Sequence, residues 1–165
     1  MDLTPDTVAA LAQALSARGW MMATAESCTG GMIAASCTDL AGSSAWFERG
    51  WVTYSNAAKH EALGVSTALI DTHGAVSEAV ARAMAQGACA TAGVAAAVAV
   101  TGVAGPSGGS RDKPVGTVWL AWCVQGQVQA ECQHFPGDRG AVRAATTQHA
   151  LLGLLTRVKA TPVSD

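Results

Sequence analysis

The sequence predicts a three-layer α/β/α sandwich built on a mixed, mostly parallel five-stranded sheet. Three observations point there. Short apolar runs alternate with segments of helical periodicity, the pattern of crossover units with parallel pairing. One run, Val94-Ala95-Ala96-Ala97-Val98-Ala99-Val100, is apolar at every position, as a central strand covered on both faces would be. Two late runs, Gly116 to Val124 and Gln127 to Phe135, are separated only by Gln125-Gly126, which is hairpin spacing and adds an antiparallel pair.

Taken in order, Thr4-Pro5-Asp6 is a helix start, with a capping hydroxyl, a proline at the first position and an acid at the positive end. Val8, Leu11, Ala12 and Leu15 recur at helical spacing, and Gly19 stops the helix. Trp20 to Ala23 is the first strand. Thr24 to Gly31 is a tight turn, and a helix from Met32 runs toward Leu40 before Ala41-Gly42-Ser43-Ser44. Phe47 to Tyr54 is aromatic and β-branched, hence a second strand. Ser55-Asn56 caps a helix through Lys59 and Leu63 to Gly64. Ser66 caps a short helix ending at His73-Gly74. Ser77-Glu78 opens a long helix to about Ala92, whose alanines permit close packing on a sheet. After the central strand comes a glycine-rich loop from Thr101 to Pro114, then the hairpin. Pro136-Gly137-Asp138 turns into a last helix striped by Leu151, Leu154, Leu155 and Val158. Thr161 to Asp165 is expected to fray. The count is about five strands and four or five helices.

At 165 residues the chain fits one domain over 1–165, with an ordered core from about 4 to 158. With 50% hydrophobic and 13% charged residues it is no disordered chain. A net charge of −2 leaves no footprint for a nucleic-acid polymer. No apolar run approaches the roughly 20 residues of a membrane span, and Met1 to Asp6 carries no signal-peptide pattern. The five cysteines are odd in number and scattered, with no C-x-x-C pair, so neither a zinc site nor a disulfide framework is indicated. Reduced thiols in a cytoplasmic protein fit that pattern, with no metal and no cofactor expected.

The chemistry gathers at T-A-E-S-C-T-G-G, Thr24 to Gly31. A serine between a strand end and a helix start stands beside unpaired N–H groups that hold a phosphate, a carboxylate or an oxyanion. The plainer reading makes Ser27 or Thr29 an N-cap and the glycines a turn. Ser27 needs a base. His60, His73, His134 and His149 sit in no motif that requires one. Lys59, one of three lysines, stands in a helix after the second strand. A free lysine is neutral about once in a few thousand at pH 7, so burial or a neighbouring cation must lower its pKa before it serves as a base; the alternative is a solvated surface lysine. Tyr54, the single tyrosine, is placed to relay a proton, orient Ser27 or bind substrate, or is a half-buried aromatic with a wet tip. Cys28 is the rival nucleophile, its pKa lowered by the helix start. The loop Gly102-x-x-Gly105-Pro106-x-Gly108-Gly109 lacks a Walker ending, but its N–H groups can nest an anion. Arg139 and Arg143 can clamp a phosphate or be surface charges. If the first three strands are parallel, the polar clusters after each share one rim.

Six segments together carry a resemblance. They are T-A-E-S-C-T-G-G (Thr24–Gly31), A-G-S-S-A-W-F-E-R-G-W-V-T-Y-S-N-x-A-K (Ala41–Lys59), H-G-A-V-S-E (His73–Glu78), T-G-V-A-G-P-S-G-G-S (Thr101–Ser110), K-P-V-G-T-V-W (Lys113–Trp119) and G-D-R (Gly137–Arg139). In this order they resemble the CinA carboxy-terminal domain family, over about Val8 to Leu155 and with no disabling departure. The resemblance implies the same fold and hydrolysis of the carboxamide of nicotinamide mononucleotide, giving nicotinate mononucleotide and ammonia, without metal. It implies Ser27 as nucleophile, Lys59 as base and Tyr54 assisting. Thr101 and the Gly102, Gly105, Gly108 and Gly109 loop would line the pocket, and Arg143 would meet the anionic part of the nucleotide. Glu26, Thr29, Gly30, Gly31 and Asn56 complete the expected substrate-binding set, with the N–H groups near Thr29, Gly30 and Gly31 given to the oxyanion. The small-molecule nucleotide is the expected partner. A homo-oligomer is also expected, with Trp46, Phe47 and Trp51 near Arg49 as interface or core. Two alternatives remain at this stage: a non-catalytic nucleotide- or partner-binding module, and an amidase for another small anionic amide.

Overall fold

The computed structural model describes residues 5–163. In chain order it contains α1 (Pro5–Ser16), β1 (Met22–Glu26), α2 (Met32–Thr38), a 3-10 turn (Ser43–Ala45), β2 (Phe47–Val52), α3 (Asn56–Leu63), α4 (Thr67–His73), α5 (Glu78–Ala92), β3 (Ala96–Gly102), β4 (Thr117–Val124), β5 (Gln127–His134) and α6 (Arg139–Ala160). One five-stranded sheet has the order β2-β1-β3-β4-β5. β1 pairs parallel with both β2 and β3. β4 is antiparallel to β3, and β5 to β4, so four of the five strands point the same way. The carboxyl ends of β1, β2 and β3 therefore share one rim, which is where such sheets bind ligands.

The expected helix starts rest on the capping chemistry read from the sequence. Ser55, Ser66, Ser77 and Asp138 each accept a hydrogen bond from a backbone N–H three residues on. Thr4, Ser164 and Asp165 lie outside the described residues. Thr161 is not frayed: its carbonyl accepts hydrogen bonds from Arg18 Nη2 at 2.9 Å and Nε at 3.3 Å.

Alternation along the strands builds two cores. Met22, Ala96, Val98, Val100, Leu120 and Trp122 face α1, α2 and α6. Ala23, Ala25, Ala97, Ala99, Ala121 and Cys123 face α3, α4 and α5. The second face is nearly all alanine, so α5 lies close to the sheet. Gly87 continues that economy of volume, since a methyl there would strike the Leu63 carbonyl of α3.

Several boundaries move. β1 extends through Thr24, Ala25 and Glu26, assigned above to the turn, because parallel partners on both sides pair with those residues. β3 is displaced toward the loop: Val94 and Ala95 follow the left-handed Gly93, whereas Thr101 and Gly102 pair with β4. β2 stops at Val52, which leaves Tyr54 beyond the strand. Six α-helices occur among the described residues rather than four or five. Trp46 is core, 3% exposed, while Trp51 is half-buried with the Arg49 guanidinium 6.0 Å from its ring. Among the described residues no helix is long and apolar enough to cross a membrane.

Candidate active site

The turn after β1 is held from both sides. The Ser27 N–H donates to Val100 O of β3 at 3.1 Å, and Gly30 N–H to Ser27 O at 3.0 Å. Gly30 and Gly31 take φ of +58° and +105°, which glycine adopts without steric cost. Glu26 is buried and pointed into the start of α2. Its carboxylate accepts from Thr29 Oγ1 at 2.6 Å, Gly31 N at 3.2 Å, Ile33 N at 2.9 Å and Ala34 N at 3.0 Å. This arrangement corrects two expectations. Glu26 spends its oxygens on the helix start rather than on a ligand, and the Gly30 and Gly31 N–H groups are already paired. The oxyanion cannot be given to them. Removing the carboxylate strands four buried or half-buried donors, so Glu26→Ala should lose about 3 kcal/mol or more in urea unfolding, and Glu26→Gln less. A loss below about 1 kcal/mol for the alanine variant would contradict this role.

Lys59 is carried on the inner face of α3, beside the buried Leu63. It is 1% exposed. Its Nζ lies 3.2 Å from Ser27 Oγ and donates to Thr53 O at 2.9 Å. Thr53 is fixed in turn by its N–H, which donates to Glu26 O at 2.8 Å. Burial holds the Lys59 amine below the ordinary lysine pKa, opposed by the nearby Cys28. A neutral amine has two N–H groups and one lone pair. With one N–H on Thr53 O, the lone pair is free to take the Ser27 proton.

Cys28 behaves differently from expectation. It is 5% exposed, and burial pushes its thiol up to about 11, outweighing the Arg143 charge that lowers it. A protonated thiol is a poor nucleophile at neutral pH.

Ser27, Cys28, Tyr54, Lys59, Thr101, Gly102, Gly105, Gly108 and Arg139 line one cleft of about 280 Å³, with Ala75, Val76 and Ser107 among the other walls. Thr101 Oγ1 donates to Ala75 O at 2.9 Å, joining the end of β3 to the loop before α5. Tyr54 stands at the rim, 60% exposed, and its hydroxyl accepts from Arg139 Nη2 at 3.0 Å rather than engaging Ser27. Arg139 Nη1 donates to Gly105 O at 2.8 Å. The remaining expected residues lie elsewhere. Thr29, Gly30, Gly31 and Gly109 are not cleft walls, and Asn56 lines a separate hollow with His60 and Asp71. Arg143 is likewise not at the cleft: Nε donates to Cys28 O at 3.0 Å and Nη2 to Thr29 O at 3.2 Å, so it braces the turn from behind. Arg139, one helical turn earlier, holds the place expected for Arg143. Its signal was the G-D-R segment, which sets it directly after the Asp138 cap. None of the four histidines lines the cleft. A larger hollow of about 530 Å³ lies between β5 and the end of α6, walled mainly by Gln125, Gln127, Gln129, Glu131 and Arg157; it offers no nucleophile beside a base.

The chain matches a family model described as the CinA C-terminal domain over residues 5–158. It is 55% identical over 147 residues to the nicotinamide-nucleotide amidohydrolase PncC of Enterobacter agglomerans, covering 88% of each chain. It is 59% identical over 132 residues to the enzyme of the same name from Pseudomonas putida, covering 80% of this chain and 82% of that one. A CinA-like protein of Akkermansia muciniphila is 51% identical over 144 residues, and there the match spans 87% of this chain but 35% of the longer relative. Among solved structures, the competence damage-inducible protein A of Klebsiella pneumoniae superposes with a TM-score of 0.91 at 42% identity, covering 94% of this chain and 96% of that one.

Proposed function

The chain belongs to the CinA C-terminal domain family, and from that premise we propose that it is an amidohydrolase that converts nicotinamide mononucleotide to nicotinate mononucleotide and ammonia, with Ser27 as nucleophile and Lys59 as base. The observation that carries this reading is the buried Lys59 amine 3.2 Å from the Ser27 hydroxyl at the wall of a cleft. A lysine kept out of water without a carboxylate partner needs a reason, and general-base duty is one.

Neutral Lys59 takes the Ser27 proton as Oγ attacks the carboxamide carbon. The backbone N–H of Cys28, one residue past the nucleophile, receives the oxyanion in place of the paired glycine amides. The Lys59 ammonium then returns the proton to the departing nitrogen, and ammonia leaves an acyl ester on Ser27. Lys59 next deprotonates a water, whose attack on the ester releases the carboxylate product and restores the serine. Arg139 and the N–H groups of the Gly105–Gly108 loop meet the nucleotide phosphate.

Ammonia release from nicotinamide mononucleotide by the purified protein tests the reaction, and Arg139→Ala tests the phosphate assignment. That variant should raise KM roughly 10- to 100-fold with kcat changed little, the loss of one charge-assisted contact. With nicotinamide riboside, which lacks the phosphate, wild type and variant should differ far less. Equal KM for wild type and variant on the mononucleotide would remove Arg139 from the phosphate site. No ammonia from the mononucleotide, with release from another anionic amide, would move the substrate.

A further inference from the structure

Among the described residues three buried side-chain atoms have no hydrogen-bond partner: Thr24 Oγ1, Thr53 Oγ1 and Arg157 Nε. Two lie away from the cleft. The Arg157 guanidinium rests 3.8 Å over the Trp122 ring, and Thr24 sits on the α2 side of β1 against Gly50. The third belongs to the residue whose carbonyl oxygen accepts from the Lys59 amine. Thr53 stands between Val52 and Tyr54, which are 54% and 60% exposed, yet it is itself 1% exposed. By strand alternation its side chain lies on the face of Trp51, which packs against the core that holds Leu63 of α3. Lys59 reaches the cleft from that same helix. We propose that Thr53 is a positioning residue whose hydroxyl accepts the third N–H of the protonated Lys59 amine and so sets the proton affinity of that amine; its consequence for turnover rests on the reading of Lys59 as the base.

A neutral amine carries two N–H groups and a protonated one three. Nζ has Thr53 O at 2.9 Å and Ser27 Oγ at 3.2 Å as its partners. Once the amine holds the Ser27 proton, one N–H stays on Thr53 O and one points along the Ser27 line toward the departing nitrogen. The remaining N–H belongs to a buried cation, where an unmet donor is costly. The hydroxyl and carbonyl oxygens of one threonine are about 3–4.5 Å apart. An amine seated on that carbonyl is therefore reached when the hydroxyl swings about the Cα–Cβ bond to another staggered position. The missing acceptor of the cation and the spare hydroxyl of Thr53 are complementary.

The charged and titratable groups of the surrounding elements are engaged elsewhere. Glu26 turns to the start of α2, Arg143 to Cys28 O and Thr29 O, and Arg139 to Gly105 O and the Tyr54 hydroxyl. On α3 itself the His60 ring meets Val65 O, and Glu61 lines the separate hollow with Asp71 of α4. His73 at the end of α4 is exposed, and Glu78 of α5 pairs with Arg82. Cys28 bears on the amine from the turn, and burial holds its thiol protonated. With no carboxylate paired to Lys59 among the described residues, the Thr53 hydroxyl is the polar side-chain group left to tune it.

The chain holds three lysines, Lys59, Lys113 and Lys159, so each is titrated separately by NMR in protein labelled with carbon-13 lysine. The Lys59 signal is the one missing from Lys59→Met. Thr53→Val exchanges the hydroxyl for a methyl of nearly the same shape, and Thr53→Ser keeps the hydroxyl. Thr53→Val should lower the Lys59 midpoint by about one pH unit, a roughly tenfold loss of proton affinity, and leave Lys113 and Lys159 unmoved. The ascending limb of kcat/KM for ammonia release from nicotinamide mononucleotide should move to lower pH by the same interval, with kcat on the plateau down about 5- to 10-fold. Thr53→Ser should restore both. A hydroxyl that merely fills space would change the melting temperature alone; here Thr53→Val loses an unpaired group and should melt no lower than wild type. A Lys59 midpoint unchanged in Thr53→Val and in Thr53→Ala, or lowered equally in Thr53→Ser, would overturn the proposal. A lowered midpoint with no matching displacement of kcat/KM would uphold the Thr53 contact and remove Lys59 as the base.

Discussion

Ser27→Ala should lower kcat for ammonia release by about 10,000-fold or more while leaving a folded protein. The lost atom is one hydroxyl oxygen in a residue 8% exposed, so no large cavity opens. The Ser27 backbone N–H still donates to Val100 O, and the turn keeps its Glu26 and Arg143 braces. What disappears is the hydroxyl oxygen 3.2 Å from the Lys59 amine, the atom proposed to form the acyl ester. Cys28→Ala is the decisive companion. Its thiol is buried and held protonated, so this variant should keep activity within a few-fold of wild type. Full activity in Ser27→Ala together with loss in Cys28→Ala would replace the serine mechanism by a thiol one. Circular dichroism and a melting curve on both variants separate lost chemistry from lost structure.

The fold was legible because its signals are local. The all-apolar β3 run, the Ser and Asp caps and the two-residue hairpin link each state their own geometry. Boundaries moved where pairing decides them. Thr24 and Glu26 are polar and read as turn, yet two parallel neighbours draw them into β1. At the site, Ser27 and Thr101 were legible as residue types at the ends of strands that share a rim, and Lys59 as one on the helix that follows β2. The partners of each polar group were not, because they depend on side-chain direction, over separations that run from three residues at Glu26 to 115 at Arg143. Glu26 and Arg143 illustrate this. Both are charged residues near Ser27, and both face away from the cleft to hold the turn that carries it. Arg139 and Arg143 lie one turn apart on α6, and only the packing of that helix against the turn decides which reaches the cleft.

Lys59→Met should abolish turnover and stabilise the protein at once. Activity should fall about 1,000-fold or more, since the proposed general base and the proposed donor to the leaving group would vanish together. Met fills nearly the same volume without a charge to desolvate, and should add about 1–2 kcal/mol of stability near pH 7. The pH dependence follows from the direction of the Lys59 shift. Burial places its native pKa below the value of about 10.4 that it has unfolded. Between those two values the unfolded chain carries a proton that the native chain does not, so wild-type stability rises with pH through that window. The advantage of Lys59→Met should therefore shrink as pH approaches the unfolded lysine value, in urea melts across the range. In the wild-type enzyme kcat/KM should climb with pH as Lys59 becomes neutral, and the residual activity of Lys59→Met should lack that limb. Lys59→Arg separates a base from a mere donor: the guanidinium keeps charge and N–H groups but does not deprotonate. Substantial activity in a folded Lys59→Arg would mean that Lys59 orients Ser27 without taking its proton. An inactive Lys59→Arg beside a stabilised, inactive Lys59→Met would fix the proton acceptor at the amine nitrogen.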